Sequence, residues 1–125
     1  MPIDDAFVNS SPHAALSDDF VEQTVLSLSV GPGTFLVFGR VVVGNQDGDA
    51  QQSSARLTSK NGSNLIDSVT VRIAGRSSST VSLQGTLIVA PNSTDVIDIR
   101  FGGFRAFGQQ PSLFALQVAR LRFGA

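Results

Sequence analysis

The chain has no cysteine, no tryptophan and no tyrosine, and it has one histidine and one methionine. Without cysteine there are no disulfides, no thiolate metal sites and no cysteine nucleophile. The single histidine, His13, lies between Pro12 and Ala14 near the start. A hydrolase triad would need that imidazole oriented by a carboxylate and facing a serine, which such a segment does not provide. Ser59 and Lys60 are adjacent, and adjacent residues on a strand point to opposite faces, so they make no Ser-Lys pair. General acid–base work would be left to aspartates. The composition therefore points to a protein that is not an enzyme and needs no cofactor.

Basic excess is also lacking. The net charge is −1, where a nucleic-acid binder would carry a surplus of Lys and Arg. No apolar run approaches the roughly 20 residues that span a bilayer. The start, Met1-Pro2-Ile3-Asp4-Asp5, lacks the basic-then-apolar pattern of a signal peptide. We expect a soluble chain with neither nucleic acid nor membrane insertion among its interactions, in a compartment the sequence leaves open.

Strong helix formers are scarce as well, with Glu22 and Lys60 the sole residues of their types. Val, Thr, Ile and Phe, which pack well on pleated surfaces, dominate instead. At 125 residues the chain has room for one domain, with roughly two thirds of its unfolded surface buried on folding.

Residues 1–19 read as an acidic arm with Ile3, Phe7 and Val8 as its apolar anchors, ahead of a domain over 20–125. From Phe20 to Val30 the alternation Leu26, Leu28, Val30 marks a half-buried strand. Thr34–Val43 is almost continuously apolar and predicts a central strand buried on both faces. Asp47-Gly48 predicts a hairpin into Ala50–Thr58, and Lys60-Asn61-Gly62 a turn into Leu65–Ile73. Thr80–Val89 carries Val81, Leu83, Gly85 and Leu87 on one face, and Asp95–Phe101 follows. A glycine-rich loop, 102–111, precedes the last strand, Ser112–Phe123. About eight antiparallel strands at regular spacing mean an all-β sandwich or barrel.

Pro32-Gly33-Thr34-Phe35-Leu36-Val37-Phe38 resembles the opening of the central strand in C1q/TNF-like domains, with Phe35 where tyrosine is usual. Residues 108–118 (GQQPSLFALQV) are similar to that family's closing strand. The resemblance covers roughly residues 20–123 and implies a jelly roll that assembles as a homotrimer. The last strand supports assembly independently. It is apolar on both faces, with Leu113, Ala115, Ala119 and Leu121 on one and Phe114, Leu116 and Val118 on the other. Such a strand is either internal to its sheet or covered by another subunit.

Three sets of residues are candidate sites. Asn45, Asp47 and Asp49 alternate around a glycine and offer hard oxygen ligands to Ca²⁺, but the spacing completes no EF-hand, and a plain turn explains them. Phe104, Arg105 and Phe107 form a Phe/Arg tip of the kind that stacks on rings and grips anions, whereas Phe101 reads as core. Leu113, Phe114, Leu116 and Val118, with Ile3, Phe7 and Val8 of the arm, are the candidate oligomer interface. Residues 1–39 hold five acids and no Lys or Arg; the remainder holds five acids and nine bases, so the halves carry −5 and +4. An acidic arm on a basic body can dock on its own domain or on a neighbour's. Three functions fit: a recognition module for a protein or glycan, a structural protein of a virion or similar particle, and a lectin.

Overall fold

The computed structural model describes the backbone of residues 6–10 and 14–118, and the side chains of 15–118. Within these residues the strands are β1 (Ala6–Ser10), β2 (Ala14–Ser17), β3 (Gln23–Val30), β4 (Gly33–Asn45), β5 (Gln51–Ser59), β6 (Asn64–Ile73), β7 (Ser78–Val89), β8 (Asp95–Gly103) and β9 (Ala106–Val118). Among the described residues no helix is long and apolar enough to cross a membrane. Ile3, His13, Ala119 and Leu121 lie outside the described residues, as do the side chains of Phe7 and Val8.

Two antiparallel sheets stack. One runs β1-β9-β4-β7, with β2 also pairing with β9, and the other runs β3-β8-β5-β6. β1 pairs with Ser112–Leu116 and β2 with Ala106–Gln109, so the two act as one interrupted edge strand, which makes eight strands in effect. Thus residues 6–10 and 14–17, part of the segment read as an arm, lie along β9 of their own chain. After β2 every connection except β5–β6 passes from one sheet to the other, which is the winding of a jelly roll.

The period-2 pattern sets the core. Phe35, Val37, Val41 and Val43 of β4 face Leu57 of β5 and Ile97, Ile99 and Phe101 of β8, all fully buried. Leu113 and Ala115 of β9 and Val81 and Leu83 of β7 complete the layer. The edge between the sheets at β6 and β7 is closed by the Gln84 N–H donating to Asp67 Oδ2 at 2.9 Å, which caps one free donor of an edge strand.

Three expectations are corrected. Asp47-Gly48 is no hairpin turn, because β4 pairs with β7 and β9 while β5 pairs with β6 and β8; the loop crosses between sheets. The predicted hairpin at Lys60-Asn61 does form, with φ of 53° and 55° at those residues. Second, β4 is central but buried on its inner face alone: Phe38 is 42% exposed and Arg40 is exposed. Third, the expected loop over 102–111 shrinks to Phe104 and Arg105, since β8 reaches Gly103 and β9 begins at Ala106. The glycines there serve close packing, for a Cβ on Gly103 would collide with Ser53 and one on Gly108 would press on the Phe101 ring.

Phe101 touches both sheets through this contact. Phe101→Ala should cost about 3–5 kcal/mol in urea-induced unfolding, through lost burial and an unfilled cavity.

Candidate functional site

Residues 18–22, 46–50, 74–77 and 104–105 join strands across the sheets at one end of the sandwich. Backbone hydrogen bonds tie these connections together. Gln46 N–H donates to Arg105 O at 2.9 Å, Arg76 N–H to Asp47 O at 2.9 Å, and Phe20 N–H to Gly103 O at 2.9 Å. Two of the candidate sets, far apart in sequence, therefore meet here: Asn45, Asp47 and Asp49 beside Phe104, Arg105 and Phe107.

Asn45 is the strut of this end. Buried, its Nδ2 donates to Asp49 O at 2.8 Å, Ile73 O at 3.1 Å and Ala74 O at 3.3 Å, while its Oδ1 accepts from Asp47 N–H at 2.9 Å. Asp47 Oδ2 accepts from Gln51 Nε2 at 2.9 Å and Oδ1 faces Arg105 at 3.5 Å. The Gln51 hydrogen bond is the main cause holding the Asp47 carboxyl below its ordinary value, with Arg105 adding to it. These oxygens have partners within the chain, and among the described residues no group of three His, Cys, Asp or Glu side chains converges. The loop is a polar knot tied around buried Asn45. Asn45→Ala strands three carbonyls and an N–H, and should lower stability by about 2–3 kcal/mol, read as a shift of the denaturant midpoint.

Phe104 packs against Phe20, ring centroids 6.4 Å apart. Phe107 belongs to β9 rather than to a loop, and its ring occupies the space that a side chain on Gly44 would need. Beside it a recess of ≈ 360 Å³ opens between Phe107, Asn45, Gln46, Arg76, Ser77 and Ser78. Asp19, Phe20, Arg76 and Arg105 all have positive φ, at 55°, 66°, 54° and 49°. Left-handed backbone at non-glycine residues costs about 1–3 kcal/mol each, and such strain tends to gather at functional sites.

The second surface is the outward face of β9 and β4. Phe38 and Phe114 are paired across the strands with centroids 6.1 Å apart, and Leu36 is paired with Leu116. Phe114, Leu116 and Val118 are half-buried, and Ile88 on neighbouring β7 is 74% exposed. The interface reading of Leu113 is corrected, because it points the other way and is fully buried between the sheets.

The outward face of the other sheet is charged. Arg56 and Arg100 sit directly opposite each other on β5 and β8, a repulsive pairing that an acid must bridge. Glu22 does so: Arg56 donates to its carboxylate through both Nε, at 2.7 Å, and Nη2, while Arg100 lies 3.9 Å away. Arg100 also pairs with buried Asp98 at 3.0 Å, and Ser27 donates to Asp98 at 2.6 Å. An open polar cleft of ≈ 520 Å³ lies over these side chains, lined by Asp98, Arg100, Thr24 and Asn61 among others. This cluster was not legible in the sequence, since Glu22, Arg56 and Arg100 are separated by 34 to 78 positions and are brought together by the fold alone.

The Arg56 hydrogen bond holds the Glu22 carboxyl below its ordinary value of 4.5, against a smaller opposing effect of burial. A carboxyl with a depressed folded-state pKa stabilises the fold above its unfolded value and loses that contribution as pH falls through the folded value. Glu22→Gln should therefore cost about 0.5 kcal/mol near neutrality and nothing well below pH 4, which melting curves across that range would show.

No known family's sequence profile matches the chain, and no curated protein matches it by sequence. Solved structures do match by shape. A chain from the structure of infectious bursal disease virus, Gx strain, aligns over 95% of this chain and 35% of its own length, with 10% identity and a TM-score of 0.50. The Stig cyclase Fisc from Fischerella sp. TAU aligns over 79% of this chain and 57% of its own, with 19% identity and a TM-score of 0.50. The chain thus spans about a third of the first and somewhat over half of the second. At such identities the likeness shows the jelly-roll fold and nothing finer. One neighbour comes from a virus and the other is a cyclase, so shape leaves the choice of function to the surfaces.

Proposed function

We propose that the chain is a non-enzymatic assembly protein whose copies associate through the outward face of β9 and β4, as a structural component of a particle. The observation that carries this reading is the contrast between the two outward faces. One sheet turns Glu22, Arg56, Arg100 and Asp98 outward, whereas the other turns out Leu36, Phe38, Phe114, Leu116 and Ile88. Contiguous apolar area of this kind on a small domain marks a contact surface.

The two segments with the C1q/TNF-like resemblance, 32–38 and 108–118, fall on β4 and β9, neighbours in one sheet, and both contribute to this face. That favours a homotrimer about a common axis, and a trimer of this type also suits a recognition module. The polar cleft around Asp98 and Arg100, rich in side chains that can bond hydroxyls, keeps a glycan partner as the second reading.

Light scattering on a sizing column tests the first reading. At moderate salt and low micromolar concentration the native chain should show a mass near three chains, and Phe38→Asp a mass of one with an unchanged fold. A native mass of one chain under the same conditions would sink it. Copurification with a much larger particle separates the structural role from a free-standing recognition module, and a glycan array separates a lectin from both.

A further inference from the structure

We infer that Phe20 of one copy seats in the recess beside Phe107 and Arg76 of a second copy, joining chains at their loop ends. This rests on the reading of the chain as one that assembles with itself, but it uses a different surface from the β9–β4 face.

The donor side is a rigid apolar knob. Phe20 and Val21 are 59% and 58% exposed. The foot of their loop is pinned by buried Ser17, whose Oγ donates to Val21 O at 2.6 Å and accepts from Gly103 N–H at 3.2 Å. Phe20 itself is held with φ at 66°, in left-handed backbone. A strained backbone that fixes a large apolar ring toward water has already met the ordering cost of a contact. On either side stand Asp18, Asp19 and Glu22, and of these Glu22 alone has an ion-pair partner among the described residues.

The acceptor side is the ≈ 360 Å³ recess, with the half-buried Phe107 ring as its apolar wall and Arg76 at its rim. Arg76 is exposed and makes no ion pair among the described residues, and its backbone is anchored to Asp47 O at 2.9 Å. Ring meets ring wall, and the two unpaired aspartates meet an unpaired guanidinium. Knob and recess belong to different connections of the same end, 18–22 and 74–77, and Phe20 does not line its own chain's recess. Two distinct patches that fit one another join copies in a ring or an open chain when each contact is made once, and in a two-fold pair when it is reciprocated.

The test uses the full chain carrying Phe38→Asp, which removes the sheet-face contact. Sedimentation velocity at low salt and rising concentration should show reversible association that weakens with added salt. Adding Phe20→Asp or Arg76→Glu should weaken it by about an order of magnitude or more. An equimolar mixture of those two variants retains one intact knob and one intact recess, and should stop at a pair. The proposal is overturned if the Phe38→Asp chain stays single at every concentration, or if either added substitution leaves its association unchanged. As the chain has no cysteine, Val21→Cys with Ser77→Cys in one chain offers an independent check. Mild oxidation should link one chain to another, and cross-links confined to one chain would count against the contact. Failure of the sheet face would show separately, as a native mass that Phe38→Asp does not change.

Discussion

The pairing of β9 on both its edges is the constraint from which most of this structure follows. With β1 and β2 on one side and β4 on the other, residues 106–109 and 112–116 are paired on both edges. Its side chains must then alternate between the core and the outward face, and both sets are apolar. Leu113 and Ala115 fill the space between the sheets, while Phe114 and Leu116 are left on the outside beside Phe38 and Leu36. A strand built this way supplies the core with one set of side chains and leaves the other set as apolar outward surface. The same pairing carries Phe107 out of a loop and into the sheet, where it borders the recess at the loop end.

The two outward faces solve different problems. On the β3-β8-β5-β6 sheet, register places Arg56 against Arg100, and a third element, the connection containing Glu22, supplies the counter-charge. That face suits water. Among the described residues of the other sheet no such cluster forms, and the exposed rings leave apolar surface that water covers at a cost of roughly 25 cal/mol per Å². The loop end is stiffened by a third means. Buried Asn45 and Ser17 satisfy backbone groups of several connections at once, so left-handed residues such as Phe20 and Arg76 can be held in place.

Shape alone separates these possibilities poorly, since comparable folds occur in a virus structure and in a cyclase. What distinguishes this chain is the placement of its apolar surface. Among the described residues, one sheet face is uncharged apart from Arg40 and carries Phe38, Phe114 and Ile88, and Phe20 stands exposed at one end.

The sequence by itself determined the strand class, the alternation that puts Val81, Leu83 and Leu87 on one face, the Lys60-Asn61-Gly62 turn, and the double-sided apolarity of the last strand. These are local properties, set by period-2 patterning and by residues that tolerate positive φ. Only the tertiary structure decided the rest. It turned Asp47-Gly48 from a hairpin into a crossing between sheets, brought Asn45 and Asp47 beside Arg105 and Phe107, and gathered Glu22, Arg56 and Arg100 on one face. The reason is physical: strand neighbours in a jelly roll are distant in the chain, and nothing in a local pattern states which strand will lie beside which.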